Sequence, residues 1–352
     1  MAEHPKPAAA GLSLPARVTI FVPTYNRAHW VRGAIESALA QTFPSFHVVV
    51  SDNASTDATA DVVAGYDDPR VTYVRLEQHL GLNEHFNLCL ERASTDYVFL
   101  LPDDDRMEPG LLEQAVAVLD ANERVGVVHG QVTVVDEEGA RIAEGHGMTG
   151  LHGDAVETGE EFIERTMAMS YRVHASTALL RTEAAAAVRL DERDSPATDL
   201  GLWLRLALGW DIAYLARPLA EYRIHADAYS AGAADVTAGG YIQRAQRIEN
   251  VRDVKLRFLR EHGHRLADAS DLRAEAVRAF RRELVEQAGN ATLPDRRFAT
   301  TVRVLEQCAR LDRGILLEPA AWRLLVGSVL GRRIVSALKR LRDRPQAQGV
   351  AA

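Results

Sequence analysis

The first hundred residues alternate short apolar runs with stretches of helical periodicity, and this alternation limits the folds that the chain can adopt. Between Trp30 and Leu39, apolar residues recur at three- and four-residue steps, the spacing of one helix face. The runs that predict strands are Val18–Val22, His47–Val50, Val71–Val74 and Tyr97–Leu101. Strands that alternate with helices favour a mostly parallel α/β sheet, which binds ligands beyond the carboxyl ends of its strands. The sequence therefore predicts a binding site at that edge of the sheet.

Polar loops follow three of these strands. They are Pro23–Arg27, Ser51–Asp57 and, directly after Pro102, the acid triplet of Asp103, Asp104 and Asp105. Two unit charges about 4 Å apart repel by roughly 4 kcal/mol at an effective dielectric near 20, so the triplet favours a bound cation or a protonated member. Mg²⁺ or Mn²⁺ suits oxygen ligands and phosphates. The alternative is a solvated turn that caps the helix predicted over Leu111–Leu119.

The order of these motifs resembles glycosyltransferase family 2. The matching segments are Val18–Arg27, Ala34–Thr42, Ser51–Asp57, Leu101–Asp105, Thr198–Arg205 and Tyr222–His225. The resemblance implies a GT-A fold and inverting transfer of a sugar from a nucleotide-diphospho donor such as a UDP-, dTDP- or GDP-sugar. In one respect the chain departs from the family, because the common Asp-X-Asp-Asp pattern aligns its first Asp with Pro102. We treat the segment as a variant of that pattern.

The resemblance also implies roles for single residues. It assigns Pro23, Thr24, Tyr25, Asn26, Asp52, Asp103 and Asp104 to the donor nucleotide and its diphosphate, and Asp104, Asp105 and His225 to Mn²⁺ or Mg²⁺. From the residues alone, Asp52 suits a pyrimidine N–H and Tyr25 suits a stacked base. A lone histidine more often has a structural role, and only with the resemblance does a metal or diphosphate contact for His225 weigh equally. Ser55 and Asp57 are expected to stabilise their turn and the helix that follows.

Inverting transfer needs a base that takes the proton of the acceptor hydroxyl. Asp199 matches the family's catalytic carboxylate and precedes a helical pattern that begins near Leu202. The alternative for Asp199 is a helix N-cap, a position that Asp fills well. Asp191 and Asp194 are the next candidates for the base.

Composition agrees with an enzyme and excludes several other classes. The 352-residue chain is 47% hydrophobic, enough for a substantial core, and its net charge of −8 argues against nucleic acid as a partner. The two cysteines, Cys89 and Cys308, lie far apart without metal-ligand spacing, so we expect buried thiols rather than a disulfide or a zinc site. A signal-like or membrane-spanning apolar segment is not evident, and the cytoplasm is the expected location.

The chain divides into an expected disordered segment 1–16, a GT-A domain 17–230 and a helical region 231–352. Gly145–Gly150 fits G-x-G-x-x-G but lacks the strand and helix that a dinucleotide fingerprint requires, so we expect a loop over Gly145–Gly153. Ala231–Gly240 has the composition of a linker, and helices are expected over Tyr241–Glu261, Leu272–Ala288 and Arg297–Arg310.

The last segment, 322–342, has the pattern of a basic amphipathic helix. It fits contact with the inner face of a membrane, which would suit a lipid-linked acceptor, or a docking or homodimer helix. The acceptor itself stays open between a small molecule, a glycan and a lipid-linked group. Two other functions also remain open from the sequence, a metal-dependent nucleotidyltransferase and a non-catalytic sugar-nucleotide-binding protein.

Overall fold

A computed structural model of the protein describes residues 15–146, 151–169, 173–225, 238–292 and 298–326. The strands in these ranges are β1 (Val18–Thr24), β2 (Phe46–Asp52), β3 (Val71–Arg75), β4 (Tyr97–Leu100), β5 (Arg106–Met107), β6 (Val125–Val135), β7 (Arg141–His146), β8 (Ala155–Glu157), β9 (Leu179–Arg181) and β10 (Asp211–Arg223).

The helices in the same ranges are α1 (Ala28–Leu39), α2 (Thr59–Ala64), α3 (Leu82–Glu91), α4 (Leu111–Ala121), α5 (Gly159–Ala168), α6 (Thr182–Ala186), α7 (Thr198–Ala207), α8 (Ala238–His262), α9 (Ala269–Thr292) and α10 (Phe298–Leu311). Short 3₁₀ helices span Ala175–Thr177, Glu192–Asp194, Gly263–Arg265 and Arg313–Leu317, and residues 319–326 are also helical.

The strands form a mixed sheet in the order β3-β2-β1-β4-β9-β6-β10-β5, with β7 beside β6 and β8 beside β10. Strands β3, β2, β1 and β4 are parallel, whereas β9 is antiparallel to both β4 and β6, and β6 is parallel to β10. Two successive antiparallel pairings restore the strand direction, so β6 and β10 run the same way as β1, β2 and β4. The carboxyl ends of these five strands therefore meet at one edge, where open α/β sheets bind ligands.

Side chains of β1 alternate between hydrophobic clusters on the two faces of the sheet. Val18, Ile20 and Val22 pack in the cluster that includes the buried faces of α1 and α4. Phe21 belongs to the cluster on the other face, with side chains of α3, α5 and α7. Because β1 is covered on both faces, all seven of its residues are buried, and its sequence is apolar apart from Thr19 and Thr24.

The C-terminal helices pack against the same sheet domain. Val254, Phe258 and Leu259 of α8 lie in the cluster that contains the buried faces of α5 and α7. A separate cluster joins α8, α9 and α10. The predicted α/β fold, with a mixed sheet flanked by helices and a helical C-terminal region, is confirmed.

The structure corrects one element boundary and leaves other predictions outside the described residues. Gly145 and His146 end β7, which pairs with β6, so the loop predicted over Gly145–Gly153 is wrong at its start. Charged residues of β7 hid the strand, because exposed side chains break the apolar signal. Most of 1–16, 231–237 of the predicted linker, and 327–342 of the basic segment lie outside the description. Residues 238–240 of that linker are helical, in α8.

Both cysteines are buried thiols, as the sequence predicts. Within the described ranges, none of the helices combines the length and the apolar content that crossing a bilayer requires.

Candidate active site

The loops after β1, β4 and β10 meet at the carboxyl edge and bring Arg27, Asp104 and His225 together. His225 Nε2 lies 3.1 Å from Asp104 Oδ2. The Nη1 atom of Arg27 lies 3.7 Å from that oxygen and 3.5 Å from His225 Nε2. The side chain of His225 is buried, whereas that of Asp104 is 19% exposed. Two residues of the predicted metal site, 121 positions apart in the sequence, are thus in contact.

Asp104 and His225 suit a metal ion that takes its remaining ligands from a bound substrate. Among the residues that the structure describes, no group of three or more His, Cys, Asp and Glu side chains could hold an ion. One carboxylate and one imidazole are fewer ligands than an octahedral Mg²⁺ or Mn²⁺ requires, and such ions are commonly bound by one or two carboxylates plus substrate phosphates. The pair therefore suits an ion that binds together with a diphosphate.

Asp105 is buried, and both oxygens of its carboxyl group already have protein partners. Oδ1 accepts the backbone N–H of Arg223 at 2.9 Å, and Oδ2 accepts the hydroxyl of Ser176. Burial, and then the charge of Asp104, raise the pKa of Asp105 well above its usual range. Asp105 thus ties the acid triplet to the end of β10 and to a 3₁₀ helix.

Asp103 is partly buried between Pro102 and Asp104. Loss of solvent, followed by the neighbouring charge of Asp104, raises the pKa of Asp103 to about 7. A carboxyl of this kind takes up a proton near neutral pH unless a cation approaches it. The alternative role for the triplet, capping the next helix, is wrong, because α4 begins after Gly110 without a side-chain cap.

Asp52 lies fully buried at the carboxyl end of β2. Its Oδ1 accepts the backbone N–H of Ser55 at 2.8 Å, and its Oδ2 accepts the hydroxyl of Tyr73, while Arg75 Nε lies 3.8 Å from Oδ2. Each carboxylate oxygen has two acceptor sites, so these contacts leave capacity for a further donor. Tyr73 and Arg75 were not predicted at this site. The sequence pattern that would have predicted them is the polar end of β3, because that end lies beside the end of β2.

The loop after β1 is held to the loop after β2 by Asn26. Asn26 adopts a left-handed backbone with φ of 52°, which Asn tolerates better than most residues. Its N–H donates to Ser55 Oγ at 2.9 Å, and its Oδ1 accepts the N–H of Thr56 at 2.7 Å.

Tyr25 is 40% exposed and its ring centroid lies 4.0 Å from that of His79, which leaves an aromatic surface at the crevice.

Three other residues for which the sequence predicted a role lie in or beside these loops. Pro23 lies within β1 opposite Ser51 of β2, and Thr24 ends the strand as a buried residue. Asp57 accepts the N–H groups of Ala28 and Thr59, each at 3.0 Å, so its predicted structural role is confirmed.

Asp199 is the second residue of α7 and its side chain is exposed. The helix begins after Ala197 without a side-chain cap, so the alternative N-cap role of Asp199 is wrong. Asp194 is buried, with Oδ1 at 2.7 Å from Arg257 and Oδ2 at 2.8 Å from Arg205. Asp191 pairs with Arg193 at 2.6 Å. Asp199 Oδ1 accepts the backbone N–H of Leu200 at 2.9 Å.

Arg223 links several parts of the site, which the sequence did not indicate. Its Nε donates to the backbone oxygen of Asp104 at 3.1 Å, and its Nη1 donates to the backbone oxygens of Asp136 and Glu137, each at 2.9 Å. The guanidinium lies over the ring of Trp30, 4.7 Å from its centroid. Arg223 therefore holds the acid triplet, the turn after β6 and the start of α1 in one arrangement.

The chain is similar to proteins whose sequences and structures are known. The family model described as "Glycosyl transferase family 2" matches residues 19–180. The GalNAc(5)-diNAcBac-PP-undecaprenol beta-1,3-glucosyltransferase of Campylobacter jejuni is 25% identical over 333 residues, 93% of this chain and 97% of that protein. The putative teichuronic acid biosynthesis glycosyltransferase TuaG of Bacillus subtilis is 33% identical over 99 residues, 28% of this chain and 39% of that protein.

The crystal structure of S. aureus TarS residues 1-349 in complex with UDP-GlcNAc has a similar fold. It superposes with a TM-score of 0.51 and 18% identity, covering 94% of this chain and 93% of that one. At this identity the likeness concerns the fold alone.

Proposed function

Since the chain belongs to glycosyl transferase family 2 and is a glycosyltransferase, we propose that it moves a sugar from a nucleotide-diphospho-sugar to an acceptor hydroxyl with inversion. The observation that carries this proposal is the contact of Asp104 with His225, at 3.1 Å, on the edge where the parallel strands end. Membership in the family disfavours the nucleotidyltransferase, and the acidic side chains of the site disfavour a non-catalytic binding protein.

The donor would lie along the ends of β1, β2 and β4. Tyr25 offers a ring to the base, and Asp52, set by Tyr73 and the N–H of Ser55, offers acceptor capacity to a base N–H. Thr24, Asn26 and Asp103 would border the path from the base to the diphosphate. Asp104 and His225 would hold Mn²⁺ or Mg²⁺, which offsets the charge that grows on the departing diphosphate.

Asp199 would take the proton of the acceptor hydroxyl as its oxygen attacks the anomeric carbon. Its exposure supports this role, because an acceptor can reach it. Asp194 is a poor alternative, since two arginines already hold its carboxylate.

We assign Asp105 a positioning role in place of the metal-ligand role that the family resemblance implied. Both of its oxygens accept hydrogen bonds from the protein, and burial favours its protonated form. Asp105 would keep Asp104 near His225 by fixing the triplet to the end of β10.

The acceptor is proposed to be lipid-linked. Support comes from the C. jejuni relative, whose name specifies an undecaprenol-linked substrate and which matches this chain over nearly its whole length. Side chains of Leu316, Leu317, Trp322 and Val326 are exposed at the end of the described chain. Segment 322–342 would then place the enzyme at an anionic membrane surface.

The test of the metal proposal is a donor screen with UDP-, dTDP- and GDP-sugars, with and without Mn²⁺, followed by release of nucleoside diphosphate. We expect release to require a divalent ion, and Asp104→Asn to lower the rate by at least about tenfold through loss of an ionised ligand. Asp67→Asn, which changes an exposed acid before β3 at the opposite edge, is the control and is expected to keep full activity. Undiminished turnover in excess chelator would rule out the metal.

A further inference from the structure

Arg27 lies against Asp104 and His225, the two side chains that would hold a metal ion. Its Nη1 atom is 3.7 Å from Asp104 Oδ2 and 3.5 Å from His225 Nε2, and those two atoms are 3.1 Å apart. All three side chains thus converge on one small volume. A divalent ion held by both atoms would lie close to this guanidinium, and two cations at such a separation repel each other.

The backbone at Arg27 is fixed, so its side chain is the part that can move. On one side, Asn26 is hydrogen-bonded to Ser55 and Thr56 of the neighbouring loop. On the other side, the N–H of Ala28 donates to Asp57 Oδ2 at 3.0 Å. The arginine side chain is 23% exposed, and it has several rotatable bonds through which the guanidinium can leave the pair.

We propose that Arg27 is an exchangeable counter-cation, an inference that rests on the proposed function. In the donor-free enzyme, its guanidinium neutralises Asp104 beside His225. When a divalent ion binds with the donor, the guanidinium leaves the pair and binds the diphosphate, whose oxygens match its planar set of donors. The exchange keeps the acidic loop neutralised in both states.

The proposal predicts effects of opposite sign on two ligands. Arg27→Gln removes the competing charge, so Mn²⁺ should bind the donor-free protein more tightly, by about tenfold. The same change removes a charged donor to the diphosphate, so a nucleoside diphosphate should bind about 10- to 100-fold more weakly in the presence of Mn²⁺. Arg27→Lys keeps the charge and should leave the affinity for Mn²⁺ near the wild-type value. A residue that merely supported the fold would weaken both ligands.

The experiment measures free Mn²⁺ by electron paramagnetic resonance in titrations of the full-length chain, and then titrates UDP, dTDP and GDP at saturating Mn²⁺. Arg32→Gln is the matched control, because Arg32 is an exposed arginine on α1, the helix that directly follows Arg27. It should change neither affinity. Asp104→Asn should abolish Mn²⁺ binding and so identify the site.

The outcomes separate this inference from the proposed function. Binding of Mn²⁺ that Asp104→Asn abolishes and Arg27→Gln leaves unchanged or weaker would overturn the counter-cation role while supporting the metal site. Absence of Mn²⁺ binding to the donor-free wild type and to donor-free Arg27→Gln would overturn the counter-cation role. If UDP, dTDP and GDP then also bind equally with and without Mn²⁺, the metal proposal is overturned as well. Detectable binding only in Arg27→Gln would be the strongest support for exchange.

Discussion

At the scale of single residues, Asp199 is the acid that we propose as the base. It lies exposed in the first turn of α7, and the helix does not depend on it for a cap. The nearby Asp194, by contrast, is held by Arg205 and Arg257. Removing one partner from such a buried ion-pair network costs about 3–5 kcal/mol, so loss of activity in an Asp194 variant would report on folding.

Asp199→Asn keeps the size of the side chain and removes the proton acceptor. We therefore expect turnover to fall by roughly 10²–10⁴-fold, with nucleotide affinity and melting temperature nearly unchanged. The measurement is the rate of nucleoside diphosphate release at saturating donor and acceptor, together with a nucleotide titration and a thermal melt.

Glu183→Gln is the matched control for this variant. Glu183 is also an exposed acid and the second residue of its helix, α6, so the change removes the same charge from an equivalent helix position. It should leave turnover intact. Near-normal turnover in Asp199→Asn would remove Asp199 from the mechanism and direct attention to Asp191.

The sequence predicted the residue types of the site better than their contacts. Asp104 was predicted from its position after an apolar strand, and His225 from a family motif. Their contact depends on the sheet order, because β9 and β6 lie between β4 and β10, and no local pattern encodes that order. The role of Asp105 depends on Ser176, which belongs to no recognisable motif, so only the fold could reveal it.

At the scale of elements, α3 is joined to β2 directly beneath the site. His85 Nε2 lies 2.9 Å from Ser51 Oγ, and both residues are buried. Burial lowers the pKa of His85 from its ordinary 6.5 to about 4. The neutral imidazole is therefore the form that the folded protein accommodates, and protonation favours the unfolded chain.

We expect this contact to make stability depend on pH in a defined direction. Because the folded-state pKa is lower than the unfolded one, the contribution of neutral His85 is fully present above pH 6.5 and is lost as the pH falls towards 4. The loss amounts to about 2 kcal/mol at pH 5. His85→Gln keeps a polar partner for Ser51 without titrating, so its melting temperature should fall less than that of the wild type between pH 7 and pH 5.

His152→Gln is the control for the pH series, since His152 is an exposed histidine. That variant should follow the wild-type profile. Some pH dependence will remain in His85→Gln, because burial also lowers the pKa of His129 to about 3. An unchanged slope in His85→Gln would show that protonation of this residue is not coupled to unfolding.

Elements with strong local signals were predicted, and elements that depend on tertiary context were missed. Strands β1 and β4 have apolar runs because all of their residues are buried. The apolar run of strand β10 is interrupted by Pro218, and the pairing of this strand with β6 contains register shifts. Strand β9 has only three residues and is antiparallel within a largely parallel region. Such short segments lack enough periodicity to predict a strand.

At the scale of the whole molecule, the C-terminal helices form a hydrogen bond and an ion pair with the sheet domain in addition to packing on it. Lys255 of α8 donates from Nζ to the backbone oxygen of Met169 at 2.9 Å, and Arg257 pairs with Asp194 at 2.7 Å. The sheet domain and the helices share a hydrophobic cluster, so we expect them to unfold together. This packing also fixes where the exposed apolar end of the described chain lies on the molecule.

That apolar end is the basis of the membrane proposal. Leu317 is 82% exposed and Trp322 is 57% exposed, and residues 319–326 are helical. The sequence that follows is rich in Arg and Lys, including Arg332, Arg333 and Lys339. Apolar side chains would enter the interface while basic groups pair with anionic headgroups, each worth about 1 kcal/mol near the surface.

The full-length protein is therefore expected to sediment with vesicles that contain anionic lipid and to bind neutral vesicles much less. Combining Leu317→Ser with Trp322→Ser should weaken binding to anionic vesicles by at least about tenfold, because two apolar side chains no longer enter the interface. Ile142→Ser, which changes a similarly exposed apolar residue on β7, is the control and should bind as the wild type does. Equal binding of the double variant and the control, or equal binding to neutral and anionic vesicles, would contradict a membrane role for this surface.

The docking or homodimer alternative would then be favoured, and light scattering of the wild type and the double variant would test it directly.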